Sequence, residues 1–377
     1  MDRSRDPVEY LQSGDAWRDY CEGLKEAGAD LFRERAPNAP IDLAEGHRYL
    51  ARMVRFGLEH IMEGGDPRLP VFFPSLCETQ KSGWDNPDNH HTSAYINGAF
   101  DYRVRGRRGD CRYMSFAVYG GSLGRAGGRS TVAYVKIEEL EVDADGRFEI
   151  ILSGREHPGN WIPLRADATT LMVREIFSRK LEQERSVLTI ECLSDEPPPK
   201  LSPDFVVSAF RRSLRFMRGS AKIFFDTVDA WIPEPNVLHT GDREKAGQTL
   251  GVPDQLYNSG WWECGPDEAL VLDVMPPECR YWSFSLNDYW GGSFDYRYWN
   301  IHVNDETAAY RPDGSIRIVV AARNPGLADT NWLDTAGHDR GVWILRWMEA
   351  REDRLPSVRR VPFSGLGALA ADSSEAR

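Results

Sequence analysis

The sequence predicts a mainly β protein, two copies of one antiparallel β-sandwich flanked by α-helices. Three observations predict it. The hexamer CRYMSF at 111–116 returns with one change as CRYWSF at 279–284. Further landmarks recur in the same order, at offsets of 168 to 172: Gly120-Gly121-Ser122 and Gly291-Gly292-Ser293, Asp145-Gly146 and Asp313-Gly314, Asn160-Trp161 and Asn331-Trp332, Arg174 and Arg346. Repeats kept in register mark a duplicated unit. The runs between them alternate apolar and polar residues with the period of a strand, and Asp-Gly turn signals precede two of them.

The elements follow in order. A helix over 15–28 would turn Trp17, Cys21 and Leu24 inward. A second, over 41–63, has Asp42 as N-cap with Glu45 three residues on, a capping box. Leu50, Val54, Leu58 and Ile61 form its apolar stripe, and Gly64-Gly65 stops it. Strands are expected in RYMSFAVYG, STVAYVKIEEL, DADGRFEIILSG and SVLTIECL, and ATTLMVREIF is read as one more. The proline-rich run SDEPPPKLSP ends this copy. A helix then opens with Ser202 as N-cap and Pro203 at its first position, and Val206, Phe210, Leu214, Met217 and Ala221 line one face. ALVLDVM, RYWSFSLNDYW and RPDGSIRIVVAAR supply strands of the second copy. The resulting division is a helical segment 1–66, a first sandwich 67–196, a connecting helix 197–232 and a second sandwich 233–365. The last includes a long loop at 233–256, and a disordered tail covers 366–377.

Bulk properties narrow the function. The 377 residues fit two domains, and a 41% hydrophobic content supports two cores. A net charge of −12 argues against nucleic acid and anionic membrane, which need a basic face. The first residues lack the apolar core of a signal peptide, and no apolar run approaches the ~18 residues of a membrane helix. A soluble, cytoplasmic protein is expected, with self-association into a homo-oligomer left open. The six cysteines are scattered without a CxxC and are expected as free thiols. No GxxxxGK[ST] and no GxSxG occur, so YGGSLGRAGGRS is a weak phosphate loop. No two histidines stand two or four apart. Neither a metal nor an organic cofactor is therefore expected.

The segments NPDNHHTSAYINGAFDYRVRGRRGDCRYMSFAVYG, GNWIPLRADATTLMVREIF and NWLDTAGHDRGVWILRW resemble a mostly bacterial family. It is known as domain of unknown function 1214 and is often preceded by a domain numbered 1254. The likeness covers nearly all of the chain from about residue 45, and Asn-Trp-Leu-Asp-Thr-x-Gly-His carries it most specifically. The resemblance implies tandem β-sandwich or jelly-roll domains with helical additions. It implies no activity and no site residues.

The residues themselves suggest acid–base chemistry. GWDNPDNHHTSAYING concentrates Asn86, Asn89, His90, His91 and Tyr95. On a strand the two histidines point to opposite faces, and His91 with Tyr95 is the catalytic choice. The competing reading is a set of turn residues satisfying their own backbone. In NWLDTAGHDRG, Asp334 could orient His338 as a base, with Trp332 and Arg340 beside them. Asn331-Trp332 has a counterpart in copy one and so reads first as a fold device. Asp334, Thr335 and His338 have none. Asp288 and Trp290, in a loop three residues longer than in copy one, are expected to be exposed and to bind substrate. Arg174 and Arg346 are interior and must pair with a carboxylate or a ligand anion. The expected function is a cofactor-independent hydrolase or lyase acting on a small hydroxylated, glycosidic or ring-bearing molecule in a cleft within or between the sandwiches. His91, Tyr95, Asp334 and His338 would move protons. Asn86, Asn89, Asp288, Trp290, Trp332 and Arg340 would hold the substrate. A non-catalytic carbohydrate-binding or scaffold module is the alternative.

Overall fold

The computed structural model describes residues 4–29, 33–121, 128–242 and 251–371. The chain divides into two compact units. The first gathers Met1–Ala36, Gly46–Gln80 and Asp88–Ile223; the second gathers Pro37–Glu45, Lys81–Pro87 and Phe224–Arg377. The boundaries drawn from sequence are linear. In space, 37–45 and 81–87 belong with the second unit.

The first unit contains β1 (Phe73–Leu76), β2 (Asn89–Tyr95), β3 (Tyr102–Arg107), β4 (Tyr113–Gly121), β5 (Arg129–Lys136), β6 (Arg147–Ser153), β7 (Trp161–Pro163), β8 (Ala168–Ile176) and β9 (Val187–Cys192). They form a five-stranded sheet, β1-β2-β8-β4-β5, and a four-stranded sheet, β7-β6-β3-β9. The second unit contains β10 (His239–Thr240), β11 (Gln255–Glu263), β12 (Glu268–Val274), β13 (Tyr281–Asn287), β14 (His302–Asn304), β15 (Ile316–Ala321), β16 (Asn331–Asp334), β17 (Arg340–Met348) and β18 (Ser357–Pro362). Their order, β10-β11-β17-β13-β14 and β16-β15-β12-β18, repeats that of the first unit strand for strand. The two halves are one sandwich used twice. One detail departs from an all-antiparallel expectation: β6–β7 and β15–β16 pair in parallel.

Alternation fills each core. In the second unit Trp262, Trp282, Phe284, Trp343 and Leu345 of the larger sheet meet Leu270, Leu272, Ile318 and Val320 of the smaller. In the first, Phe116, Val118 and Val173 meet Val104, Phe148 and Ile150. Much of the tryptophan content is thereby used: Trp261, Trp262, Trp282, Trp290, Trp343 and Trp347 are all fully buried.

The outer faces of the smaller sheets differ. The first carries an exposed ladder of Arg103 and Arg105 with Glu149 and Glu191. In the second, Ala269, Val271, Val319 and Ala321 are covered by Leu366. Leu366 is 2% exposed and begins α5 (Leu366–Ala371), numbered after the four helices below. The start of the supposed tail is therefore ordered by an apolar face that would otherwise meet water; 372–377 lie outside the described residues.

The helices are α1 (Pro7–Gln12), α2 (Asp15–Ala29), α3 (Pro40–Phe56) and α4 (Pro203–Trp231). Asp6 caps α1 through the backbone N–H groups of Val8 and Glu9. In α2 the buried residues are Ala16, Tyr20 and Ala27. The expected face is thus rotated by one position. Trp17 is 56% exposed, lying against Tyr20 and Phe210. α3 begins before Asp42, so Asp42 is not its N-cap but lies in its first turn, its carboxyl reaching back to the Ala39 backbone. Tyr49 and Met53 are buried, whereas Leu58 is 38% exposed. A π-helical segment, Gly57–Glu63, shifts the phase here. It starts where a Cβ on Gly57 would lie 1.8 Å from the Ser213 hydroxyl. α4 starts as expected, with the Ser202 hydroxyl accepting the Phe205 N–H at 3.2 Å. The loop 233–256 contains the short β10, and its residues 243–250 lie outside the described residues.

The recurring Asn-Trp pair does the same work in both units. Asn160 accepts from the Glu141 N–H and donates to the carbonyls of Glu141 and Glu149. Asn331 accepts from Ala309 and donates to Ala309 and Arg317. The Trp161 indole donates to the Ser153 carbonyl, and that of Trp332 to Ala321. Each amide thus bridges two backbone segments at the start of the short parallel strand. Asn331→Ala leaves buried backbone groups unpaired and is expected to destabilise the protein by about 2–4 kcal/mol. The urea midpoint should fall at unchanged slope, and a loss under about 0.5 kcal/mol would remove the fold-device reading.

Candidate functional site

The larger sheet of the second unit buries both faces. Its core face holds Trp282, Phe284 and Leu286, while the opposite face holds Tyr281, Ser283, Ser285 and Asn287, buried as well. Residues 81–87 lie on that polar face. Arg346, on the central strand β17, donates to the Trp84 carbonyl at 2.5 Å and to the Ser285 hydroxyl at 3.1 Å. The Asn86 amide donates to the Tyr281 hydroxyl at 2.8 Å, and Asn287 to the Asp85 carbonyl at 3.4 Å. The Asp85 carboxylate accepts the backbone N–H and the hydroxyl of Ser293, both at 2.8 Å. Lys81 donates to the carbonyls of Ser293 and Phe294. Asp288 accepts the Gly292 N–H at 2.8 Å and shapes the turn. Asn86, on the strap tied to the sheet, and Asp288, in the turn after β13, were expected to hold substrate and have these bonds within the unit.

Trp290 was expected at the surface and is 1% exposed. The longer loop folds inward because its indole has both an acceptor and aromatic neighbours. The N–H donates to the Asp42 carbonyl at 2.8 Å. The ring meets Phe225 and Tyr289 edge-on, at 5.3 and 4.8 Å.

This contact brings the first turn of α3 to the turn that carries His338. The His338 ring stacks on Phe294 at 4.1 Å and 11°. Its Nδ1 lies 3.2 Å from the Thr335 carbonyl, an acceptor only, so Nδ1 carries the hydrogen and Nε2 a lone pair. That Nε2 is buried without a hydrogen-bond partner. Two carboxyls act on His338, Asp42 first and then Glu45; Asp42 is 5% exposed, and it and His338 act on each other electrostatically. Burial pushes the Asp42 carboxyl up against the pull of His338, and burial pushes the His338 imidazole down against the pull of Asp42. The expected Asp334–His338 dyad is replaced by this pair. The Asp334 carboxylate accepts the Ala336 N–H at 2.8 Å, closing its own turn. Arg340 pairs with the neighbouring Asp339 at 2.8 Å.

In the first unit His91 lies on the polar face of β2. Arg174 donates from Nε to its Nε2 at 2.9 Å, with the Asn89 amide 3.3 Å from the same atom. This occupies the lone pair that a base would use. Tyr95 is two turns of the pleat further along the same face. His90 points the other way, where the charges of Arg185, Lys180 and Glu78 act on it. Among the described residues no group of three or more His, Cys, Asp or Glu is arranged to hold a metal ion, and no helix is long and apolar enough to cross a membrane.

Trp332 also lines a cleft of about 390 Å³ with Asn300, His302, Asn324, Thr330 and Asn331. No Asp, Glu, Lys or Arg lines it.

The family described as "Protein of unknown function (DUF1214)" matches residues 87–177 and 269–352, once in each set of strands. The chain belongs to the DUF1214 family. A solved uncharacterized protein from Burkholderia cenocepacia is 37% identical over 95% of this chain and 99% of its own, with a TM-score of 0.90. The VPA0106 protein from Vibrio parahaemolyticus is 13% identical over 83% of this chain and 97% of its own, with a TM-score of 0.49. No curated protein sequence matches the chain. The second DUF1214 match contains His338 and Trp290, whereas Asp42 lies outside both matches. Sequence reasoning assigned Asp42 to a helix cap. No local signal connects it to His338, because only the tertiary fold does.

Buried neutral histidines give the protein a specific acid response. Burial lowers His90 to about 3 and His60 to about 4. An unfolded histidine titrates near 6.5, so the unfolded state binds protons first as pH falls. Stability is then lost from about pH 6.5 down towards those folded values. Between pH 6 and 5 the two histidines are expected to cost about 2 kcal/mol. Urea midpoints measured across that range check this, and flat stability there contradicts it.

Proposed function

We propose that the protein is an enzyme that moves protons at Asp42 and His338 on a small hydroxylated, glycosidic or ring-bearing molecule, without an organic cofactor, by hydrolysis or elimination. The observation that carries this reading is a buried imidazole, fixed as one tautomer, whose free Nε2 lone pair lies near a buried carboxyl. Two titratable groups perturbed in one dry site are the usual preparation for acid–base work. His338 Nε2 takes a proton from a hydroxyl or a bound water. The Thr335 carbonyl, accepting from Nδ1, stabilises the imidazolium that forms. The Asp42 carboxyl offsets that charge and, raised by burial, can return a proton. Phe294 and Trp290 wall the site with apolar surface. Because Nε2 is buried, substrate access requires a displacement of the groups that cover it.

A second reading rests on the Trp332 cleft. Its polar, uncharged lining and the Trp332 ring suit a neutral hydroxylated ligand such as a carbohydrate, held without catalysis.

Histidine NMR tests the first reading without a known substrate. His338 is expected to titrate below the ordinary 6.5 as the Nδ1–H tautomer, and lower still in Asp42→Asn, which removes the carboxyl that favours its charged form. On a panel of glycosides, esters and hydroxy acids, His338→Gln is expected to cut any turnover by about 10²–10⁴-fold with the fold intact. Ordinary titration that ignores Asp42→Asn would overturn the proton-transfer reading. Sugar binding lost in Trp332→Phe but kept in His338→Gln would favour the cleft.

A further inference from the structure

Tyr95, Tyr119, Arg129 and Arg212 of the first unit form a cluster that the proposed chemistry does not use. Tyr95 ends β2, Tyr119 lies near the end of β4, and both pair with Thr170 of β8. They therefore share a face of the sheet, about 10 Å apart across one strand. Arg129 opens β5 beside them, its guanidinium 5.2 Å from the Tyr119 ring. Arg212 reaches in from α4, donating to the carbonyls of Gly65 and Ile61 at 3.2 and 3.4 Å.

The charge balance is the unusual part. Nε and Nη1 of Arg129 and Nε of Arg212 are buried without a hydrogen-bond partner. The groups that act on Arg129 are the phenols of Tyr119 and Tyr95. On Arg212 they are Tyr95, Asp66 and the like-charged Arg215, so the guanidinium without an acidic group acting on it is that of Arg129. Both guanidinium charges act on the Tyr95 phenol. A desolvated guanidinium without an anion is costly, and its planar fork matches the oxygens of a carboxylate or phosphate. Arg129 and Tyr95 are each half-buried as whole residues.

The same row in the second unit reads Trp261, Val342 and Asn287. The cluster is absent from that copy, so the shared fold does not require it.

We propose that Arg129, Arg212 and the Tyr95 hydroxyl bind a compact oxyanion, a carboxylate or phosphate group, with Tyr119 beneath the guanidinium of Arg129. The site lies in the first unit and is independent of the Asp42–His338 chemistry. The test is thermal unfolding of the full chain in inorganic phosphate and in acetate, each against sodium chloride at equal ionic strength. One or both anions are expected to raise Tm with saturation, and whichever does so identifies the preferred oxyanion. Arg129→Gln and Arg212→Gln are expected to weaken the apparent affinity at least tenfold, while Tyr95→Phe weakens it less. Since Arg129→Gln removes a buried cation without a hydrogen-bonded acceptor, that variant without ligand should unfold no earlier than the wild type, whereas Arg212→Gln also loses the bonds to Gly65 and Ile61. If one variant does not fold, the other two still report. A wild type indifferent to both anions, or variants that respond as it does, would overturn the site. His338→Gln is expected to leave the anion response unchanged, and a response lost there would also overturn it.

Discussion

Arg346 sits in the middle strand of a sheet with both faces dry, and its guanidinium must find acceptors there. An antiparallel sheet ordinarily keeps one face wet, which makes polar side chains on that face inexpensive. Here Tyr281, Ser283, Ser285 and Asn287 are all buried. Water cannot serve them, so the chain itself must. Residues 81–87 meet part of that need: the Trp84 carbonyl accepts from Arg346, the Asp85 carbonyl from Asn287, and the Asn86 amide donates to the Tyr281 hydroxyl. This explains why a stretch between β1 and β2 of the first sandwich in sequence belongs to the second unit in space. Arg174 occupies the same register in the first unit, between His91 and Ser115, as Arg346 does between Tyr257 and Ser283. The duplicated module thus carries a buried cation at its centre, and each copy supports it with different neighbours.

Duplication separates structural from functional side chains in a single chain. Asn160 and Asn331 make the same three hydrogen bonds, and Trp161 and Trp332 the same one. Features kept in both copies hold the fold. The first turn of α3, the 335–338 turn and the Tyr95–Arg129–Arg212 cluster each exist once. The last two include buried polar atoms without a hydrogen-bond partner, His338 Nε2 and the Nε atoms of Arg129 and Arg212, though such atoms occur elsewhere in the fold as well.

The sequence showed the duplication, the strands and the Asn-Trp device because each is written locally, in period-two runs and fixed spacings. The order of elements was legible for the same reason. The face of α2 was misplaced by one residue because small Ala16 and Ala27, with Tyr20, pack closely, while the larger Trp17 lies across the edge. The stripe of α3 was misplaced by one position, with Tyr49 and Met53 buried in place of Leu50 and Val54, and a π-helical segment then follows from Gly57, which packs closely on Ser213. The candidate site was half legible. His338 stood out because copy one has no equivalent. Asp42 did not, since an acidic residue near a helix start reads as a cap. Trp290 was expected in solvent because a Gly-rich insertion gives no sign of what will cover it.

Asp42 also runs against its local electrostatics. A carboxylate in the first turn of a helix meets the positive end of the dipole and is ordinarily stabilised in its charged form. Its pKa is nevertheless raised, so desolvation outweighs the dipole. His338 is displaced oppossitely, and by the same cause. Folding thus favours the protonated carboxyl and the neutral imidazole. Asp42 lowers stability when it ionises at higher pH, and His338 lowers it when it charges at lower pH. A pair selected for stability alone would be replaced by groups of similar shape without charge. Keeping two titratable groups under such a penalty, in the copy that also carries the unmatched turn, is the pattern expected when the protons themselves are what the site handles.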